Sequence, residues 1–287
     1  MIESRSKTVA IIQARMASSR LPDKVLLDIH GRPMLVWVVE RTRRAKRVDQ
    51  VVVATTDSAA DDPVADCCER SGSPFYRGSE SDVLDRYYQA AGRYGADVIV
   101  RITADCPLID PDLIDDTLEV FTNEGLDFAT NRLPPPWGRT YPIGMDTEVF
   151  SYAALDRAWK ETDQSYQREH VTPYFYEDAP PEHLHYDETL RRSYRAADYW
   201  FQTATSPRSF KVALLHHLED CGHHRWTVDT PQDLELVREI VFRFVDRDDF
   251  SWLDILALVR REPALAEINA QVTHKTHLDV DERFAKD

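Results

Sequence analysis

Three short runs of apolar, largely β-branched residues recur in the first hundred positions: Thr8-Val9-Ala10-Ile11-Ile12, Gln50-Val51-Val52-Val53-Ala54-Thr55 and Asp97-Val98-Ile99-Val100-Arg101-Ile102. None alternates apolar with polar residues. A strand that buries one face alternates, whereas a strand apolar on both faces is covered on both, as in a parallel sheet between two helical layers. The stretches between these runs carry a helical period. Pro33 to Val39 opens a helix with proline in its first turn, and Asp57 to Arg70 reads as a second helix. Asp82 to Tyr94 places Val83, Leu84, Tyr87, Tyr88 and Ala91 on one stripe. Phe75-Tyr76 reads as a short strand, and Asp110 caps a helix from Pro111 to Asn123. This alternation predicts βαβ units. Ligands of such sheets bind beyond the carboxyl ends of the strands, so chemistry is expected just after Ile12, Ala54 and Ile102.

The pattern then changes. Asn131 to Gly138 is a proline-rich loop, Tyr141 to Phe150 is strand-like, and Tyr152 to Glu161 and Gln164 to Tyr176 read as helices. Arg225-Trp226-Thr227-Val228 reads as a late strand before a helix from Pro231 to Val245, followed by short helical segments at Trp252 to Arg261 and Ala264 to Gln271. The expected organisation is one domain over 1–272, with 131–176 as an inserted arm and 273–287 as a polar tail. A length of 287 residues, 43% of them hydrophobic, suits one full-sized core. No apolar run reaches the ~18 residues of a membrane span, and the start of the chain lacks a signal peptide's apolar segment, so the expected location is the cytoplasm. A net charge of −15 opposes general nucleic-acid binding, which needs a basic surface. A local cluster of Arg and Lys can still hold a triphosphate. Cys67, Cys68, Cys106 and Cys221 form no C-x-x-C pair, and no disulfide framework is expected.

The loop after the first run is Gln13-Ala14-Arg15-Met16-Ala17-Ser18-Ser19-Arg20-Leu21-Pro22-Asp23-Lys24. Its three cations and adjacent hydroxyls suit an anion: Arg offers paired donors to phosphate and Lys a point charge. Small residues let backbone N–H groups approach phosphate oxygens. It is neither a Walker loop nor a dinucleotide fingerprint, because both glycine patterns are missing. On composition alone, an exposed basic loop without a ligand explains it equally well.

The run I-I-Q-A-R-M-A-S-S-R-L-P-D-K-V-L, followed by Gly31-Arg32-Pro33-Met34, resembles the opening of the acylneuraminate and Kdo cytidylyltransferases, and most of all their SpsF-like branch. Separated motifs continue the likeness, with gaps, from about Val9 to Glu235. The resemblance implies the nucleotide-diphospho-sugar transferase fold, a Rossmann-like three-layer sandwich. It implies that Arg15, Ser19, Arg20 and Lys24 hold the phosphates of CTP, with Ala14 and Arg15 also near the base. It makes Asp105, in Arg101-Ile102-Thr103-Ala104-Asp105-Cys106-Pro107-Leu108, and Asp229, in T-V-D-T-P-Q-D-L-E, the ligands of Mg²⁺. Hard carboxylates suit that ion, which takes one or two of them and completes its shell with phosphate and water. Asp229 is also placed to cap the helix at Pro231. Asp110-Pro111-Asp112 looks like a D-x-D metal motif but reads as a helix start.

Arg77, before Gly78, matches a family segment near the nucleotide base; a surface arginine ahead of a helix cap at Ser81 is the other reading. Arg139, Asp146, Glu148, Arg168 and His170 lie in segments that resemble the family's acceptor pocket and dimer arm. Arg139 or Arg168 would clamp an acceptor carboxylate, His170 would orient a hydroxyl, and Asp146 and Glu148 would bind acceptor hydroxyls or waters of the metal. Salt bridges within the protein explain the same charges. His216-His217 and Cys221-Gly222-His223-His224 fit no four-ligand zinc spacing, and Cys106 reads as a small core residue. The implied reaction is attack by an acidic, sugar-like acceptor on the α-phosphorus of CTP, with pyrophosphate leaving, by an enzyme that pairs as a homodimer. A glycosyltransferase consuming a nucleotide-sugar and a non-catalytic nucleotide-binding scaffold are the rival readings.

Overall fold

The computed structural model describes residues 6–135, 137–179, 185–186, 192–194, 197–244 and 247–273; the expected polar tail lies, from residue 274, outside the described residues. Among the described residues, ten strands form one mixed sheet. In chain order they are β1 (Thr8–Gln13), β2 (Gln50–Thr56), β3 (Phe75–Gly78), β4 (Val98–Thr103), β5 (Phe128–Thr130), β6 (Glu148–Ser151), β7 (His185–Tyr186), β8 (Arg192–Tyr194), β9 (Ala197–Thr205) and β10 (Lys211–His217). Across the sheet the order is β7-β9-β10-β5-β6-β4-β1-β2-β3, with β8 also paired to β9. The half from β3 to β4 is parallel, and β1 holds both neighbours in register, with Ile11 opposite Val52 and Arg101. From β1 the chain runs outward through β2 and β3, then returns to β4 on the other side of β1. That reversal leaves a crevice at the carboxyl ends of β1 and β4, where open α/β sheets bind ligands.

Helices cover both faces. They are α1 (Met34–Thr42), α2 (Asp62–Arg70), α3 (Val83–Tyr94), α4 (Pro111–Asn123), α5 (Tyr152–Glu161), α6 (Ser165–His170), α7 (Pro173–Tyr176), α8 (Pro231–Arg243), α9 (Trp252–Arg261) and α10 (Ala264–Glu267). Ala10, Ile12, Val53, Val100 and Ile102 face one core with α1, α4, α8 and α9. Val9, Ile11, Val52, Ala54 and Ile99 face the other with α3, α5 and α7. This is the three-layer sandwich expected, and the double coverage explains the unbroken apolar runs. Each fully buried aliphatic side chain contributes roughly 1.5–3 kcal/mol. Local signals start the helices: Asp110 accepts from the N–H groups of Asp112 and Leu113 at 2.9 and 3.3 Å, so D-P-D is the helix start it was read as. Thr230 with Asp233, and Ser251 with Asp254, form capping boxes. No helix among the described residues is long and apolar enough to cross a membrane.

The segment 131–176 returns β6 to the middle of the sheet, between β4 and β5. The later chain departs from expectation in three places. The helix expected over Gln164 to Tyr176 is two helices, because Val171 takes φ 71° and Pro173 starts anew. The strand-like stretch from Tyr141 is a strand only from Glu148. The strand expected at Arg225–Val228 is instead a crossing, tied to the loop before β6 by a parallel bridge between Ile143 and Arg225. Gly144 makes the crossing possible: its φ is +101°, and an added Cβ would stand 2.5 Å from the backbone nitrogen of Thr227.

Gly144→Ala is therefore expected to cost well over the ~1–2 kcal/mol of a left-handed alanine alone, because backbone must also move. Gly95→Ala, at φ +62° with open space around the added carbon, is expected to cost only that ~1–2 kcal/mol. Chemical denaturation of the two variants compares them, and equal losses would refute the crowding argument.

Candidate active site

The crevice between β1 and β4 is built by three segments. The first is the loop after β1. Ala14 donates its N–H to Ala54 O at 3.1 Å, keeping the chain along β2. Met16 donates to Asp61 Oδ1 at 2.6 Å, and the other Asp61 oxygen accepts from the Thr56 hydroxyl. Asp61 is buried and fixes where the basic loop begins. The loop ends in a left-handed Asp23 (φ 57°) and a short 3₁₀ turn at Lys24–Leu26, which sends the Lys24 side chain back toward the sheet.

The second segment follows β4. Asp105 Oδ1 accepts from the Thr103 hydroxyl, and the Asp105 carbonyl accepts from Val228 N–H at 2.8 Å and the Thr227 hydroxyl at 3.0 Å. The third is the crossing 225–229 and the start of α8. Asp233, fully buried, holds it: its carboxylate accepts from Arg225 Nε and Nη2 at 2.9 and 3.0 Å, from Asp229 and Thr230 N–H at 3.0 Å each, and from Asn269 Nδ2 at 2.8 Å.

These segments bring Lys24, Asp105 and Asp229 together. Lys24 Nζ donates to Asp105 Oδ2 at 2.9 Å, to Asp229 Oδ1 at 2.8 Å and to Val228 O at 3.1 Å, which uses all three of its protons. Asp229 Oδ2 meets Arg20 Nη2 at 3.1 Å and Arg225 Nη2 at 2.7 Å. Burial alone would lower the Lys24 pKa, but the charges of Asp105 and Asp229 outweigh it and raise the pKa. Burial alone would raise that of Asp229; Lys24, Arg20 and Arg225 overcome it and hold the carboxyl far below the usual range. Burial, reinforced by Asp105, pushes the Cys106 thiol well up, which suits a small core residue and not a nucleophile.

The donor set fits a hard divalent ion. Two carboxylates from separate segments converge on a single point, and Mg²⁺ needs no more than one or two of them beside phosphate and water. Among the described residues no group of three or more His, Cys, Asp or Glu gathers to hold a metal by protein ligands alone.

The other expected residues are placed differently. Arg77 reaches the ligand edge, but its guanidinium holds the turn after β2 through Thr56 O (2.9 Å), Ser58 O (2.7 Å) and Asp62 Oδ1 (2.7 Å). Arg139 and Asp146, expected on an acceptor, bind each other through two hydrogen bonds of 2.8 and 3.1 Å. Glu148 is buried, pairs with Arg101, and accepts from the Thr172 hydroxyl at 2.9 Å. Asp146 precedes β6, so the shared strand face expected for Asp146 and Glu148 does not form. Arg168 pairs with Asp82 at 2.7 Å. His170 ends α6, just before the Val171 turn. Ser19 is exposed on the loop. Asp61, Arg225 and Asp233 were missed; each works by holding another residue, and the reciprocal Thr230/Asp233 cap was the signal available for the last.

Residues 9–221 match the cytidylyltransferase family. The spore coat polysaccharide biosynthesis protein SpsF of Bacillus subtilis is 30% identical over 261 residues, covering 89% of this chain and 95% of that protein. A 3-deoxy-manno-octulosonate cytidylyltransferase of Anaeromyxobacter sp. (strain Fw109-5) is 29% identical over 255 residues, covering 82% and 97%. The solved structure of a cytidylyltransferase from Leptospira borgpetersenii superposes with a TM-score of 0.77 at 30% identity, covering 94% of this chain and 100% of that one. Fold, family match and full-length relatives agree: the chain belongs to the cytidylyltransferase family and is an enzyme of the CTP-dependent nucleotidyltransferase class.

Proposed function

We propose that this enzyme transfers CMP from CTP to an acidic sugar and releases pyrophosphate, in the synthesis of a surface polysaccharide or glycoconjugate. The convergence of Lys24, Asp105 and Asp229 at the crevice, with Arg20 at 3.1 Å from Asp229, carries the reading. The basic loop follows the carboxyl end of β1, where open α/β sheets bind their ligands, and the acid acceptor follows the names of relatives such as the 3-deoxy-manno-octulosonate cytidylyltransferase. Magnesium dependence and a homodimer belong to the same reading on the family resemblance, and a cytoplasmic location belongs to it on the lack of a signal-peptide-like apolar segment at the start of the sequence.

The acceptor oxygen attacks the α-phosphorus in line with the departing pyrophosphate. Catalysis here is mostly positioning and neutralisation of charge. Arg15, Arg20 and Lys24 bind the β- and γ-phosphates and stabilise the leaving group; Ser19 and the backbone after Ala14 orient the nucleotide. Asp105 and Asp229 would hold Mg²⁺, which supplies further charge neutralisation and lowers the pKa of the attacking hydroxyl. Lys24 is held protonated and Asp229 ionised, so neither is suited to take the hydroxyl proton as a general base. His170, at the end of α6, would orient an acceptor hydroxyl. An acceptor carboxylate would reach Arg139 only by competing with Asp146, and Arg168 only by competing with Asp82.

Pyrophosphate release from CTP, UTP, ATP and GTP, each with a panel of acidic sugars, tests the function. Release that needs CTP and one acceptor is expected, and Asp105→Asn is expected to lower kcat about 10²-fold or more, in line with the loss of other electrostatic stabilisers. Release from no pair, or full turnover by Asp105→Asn, would sink the reading. The ion-pair cluster also predicts a pH signature. Asp229's folded pKa is depressed below its unfolded value of about 3.9, so its contribution to stability is complete above that value and is lost as pH falls toward the folded pKa. The destabilisation of Asp229→Asn relative to the native protein should be constant from about pH 5 to 8 and shrink below about pH 4. Paired urea melts across that range check it, and a gap that closed near neutrality would contradict the depressed pKa.

A further inference from the structure

The position of the Lys24 ammonium bears on how a divalent ion gets in. Nζ stands at the point where the carboxylates of Asp105 and Asp229 converge, 2.9 and 2.8 Å from their oxygens. Mg²⁺ draws its oxygen ligands to about 2.1 Å, so an ion bridging the same two oxygens and the Lys24 ammonium exclude each other. We propose that Lys24 is the resident counter-ion of this carboxylate pair in the free enzyme, so that a divalent ion enters together with the nucleotide, whose phosphates draw Lys24 away.

Three observations support this. The pair is shielded, with the side chains of Lys24, Asp105 and Asp229 only 13%, 26% and 17% exposed, so two carboxylates facing each other need a cation. The charges already cancel: Arg225 is matched by Asp233, and Lys24 and Arg20 balance Asp105 and Asp229. A divalent ion arriving alone leaves this pocket with excess positive charge, which a triphosphate removes. Finally, the exchange needs only a side chain to turn. The Lys24 carbonyl accepts from Leu27 N–H at 3.2 Å and the Asp23 carbonyl from Leu26 N–H at 2.9 Å, which fixes the backbone, while the four-carbon stem of lysine is flexible and its head binds phosphate as a point charge. Arginine at this position would be a poorer exchanger, since its planar fork is not a point charge.

The inference rests on the transferase reading only for the identity of the anion. Its test is Mn²⁺ binding to the full-length protein, followed by the loss of the free-ion electron paramagnetic resonance signal. The protein is measured with and without a CTP analogue whose α,β-bridging oxygen is replaced by CH₂. Without nucleotide, Lys24→Met is expected to bind Mn²⁺ at least about tenfold more tightly than the native protein, a conservative share of the repulsion between close like charges. Adding Asp105→Asn to that variant should remove the gain, which locates the ion. The native protein should gain at least about tenfold in Mn²⁺ affinity when the analogue is added, and Lys24→Met should gain less. Equal nucleotide-free affinities in the native protein and Lys24→Met would overturn the proposal. Thermal melting establishes that each variant is folded, and Lys24→Gln replaces Lys24→Met if the latter is not. Tight Mn²⁺ binding by the variant, with no binding of the analogue by the native protein, would uphold Lys24 as counter-ion and sink the transferase reading. Turnover of CTP with equal Mn²⁺ affinities would do the reverse.

Discussion

The buried ion pair of Arg225 and Asp233 is the contact on which the candidate site depends. Asp229 lies on no strand; it ends a crossing segment that pairs with its neighbours through isolated hydrogen bonds. What makes that segment rigid is one carboxylate, Asp233, which accepts from Nε and Nη2 along one edge of the Arg225 guanidinium and from the N–H groups of Asp229 and Thr230. Removing one partner of a buried pair of this kind costs about 3–5 kcal/mol, since the other charge is left stranded. The same network aims Arg225 Nη2 at Asp229, so the pair that fixes the backbone also keeps the Asp229 carboxylate ionised. The start of α8 adds to this, because a helix N-terminus favours negative charge.

How far the sequence discloses this arrangement varies with the kind of force at work. β1, β2 and β4 are legible because double burial removes polar residues from both faces, and the basic loop and Asp105 are found by following those strands to their ends. The Arg225–Val228 run has the composition of a strand and lies beside the sheet, yet it crosses at Ile143 and does not pair along its length. Composition reports burial, and these residues are buried; it does not report hydrogen-bond direction. The hairpin of β9 and β10 is hidden for the opposite reason. In β9, Tyr199 and Phe201 turn into the core while Trp200 and Gln202 are half-buried on the other side, a mixed alternation; β10 carries only a four-residue apolar run, Val212 to Leu215.

The acceptor residues show a second limit. Arg139 and Asp146, Arg168 and Asp82, and Glu148 and Arg101 are opposite charges that find each other across separations of 7, 86 and 47 residues. Family likeness selects these positions and spacing along the chain is silent about their partners. Of the residues brought forward from the resemblance, Lys24, Asp105 and Asp229 converge. Arg77, Arg139, Asp146, Glu148 and Arg168 are engaged with one another or with the scaffold, and a ligand of their charged groups competes with a protein partner.

One such partnership ties the turn after α6 to β1. Val171 is β-branched, fully buried and held at φ 71°, with Thr172 N–H donating to His170 O at 2.8 Å in a tight three-residue turn. A branched side chain in this region is strained, and strain persists only where the surroundings enforce it. Here the core takes the Val171 side chain, and the Thr172 hydroxyl donates to Glu148 at 2.9 Å. Glu148 in turn pairs with Arg101, whose Nη2 donates to Gln13 Oε1 at 3.2 Å. Gln13 is the last residue of β1, two positions before Arg15. The turn after His170 is therefore tied through Thr172, Glu148 and Arg101 to Gln13, at the end of the strand that launches the basic loop. A shift of that turn therefore strains contacts that end at the last residue of β1, just before the basic loop begins.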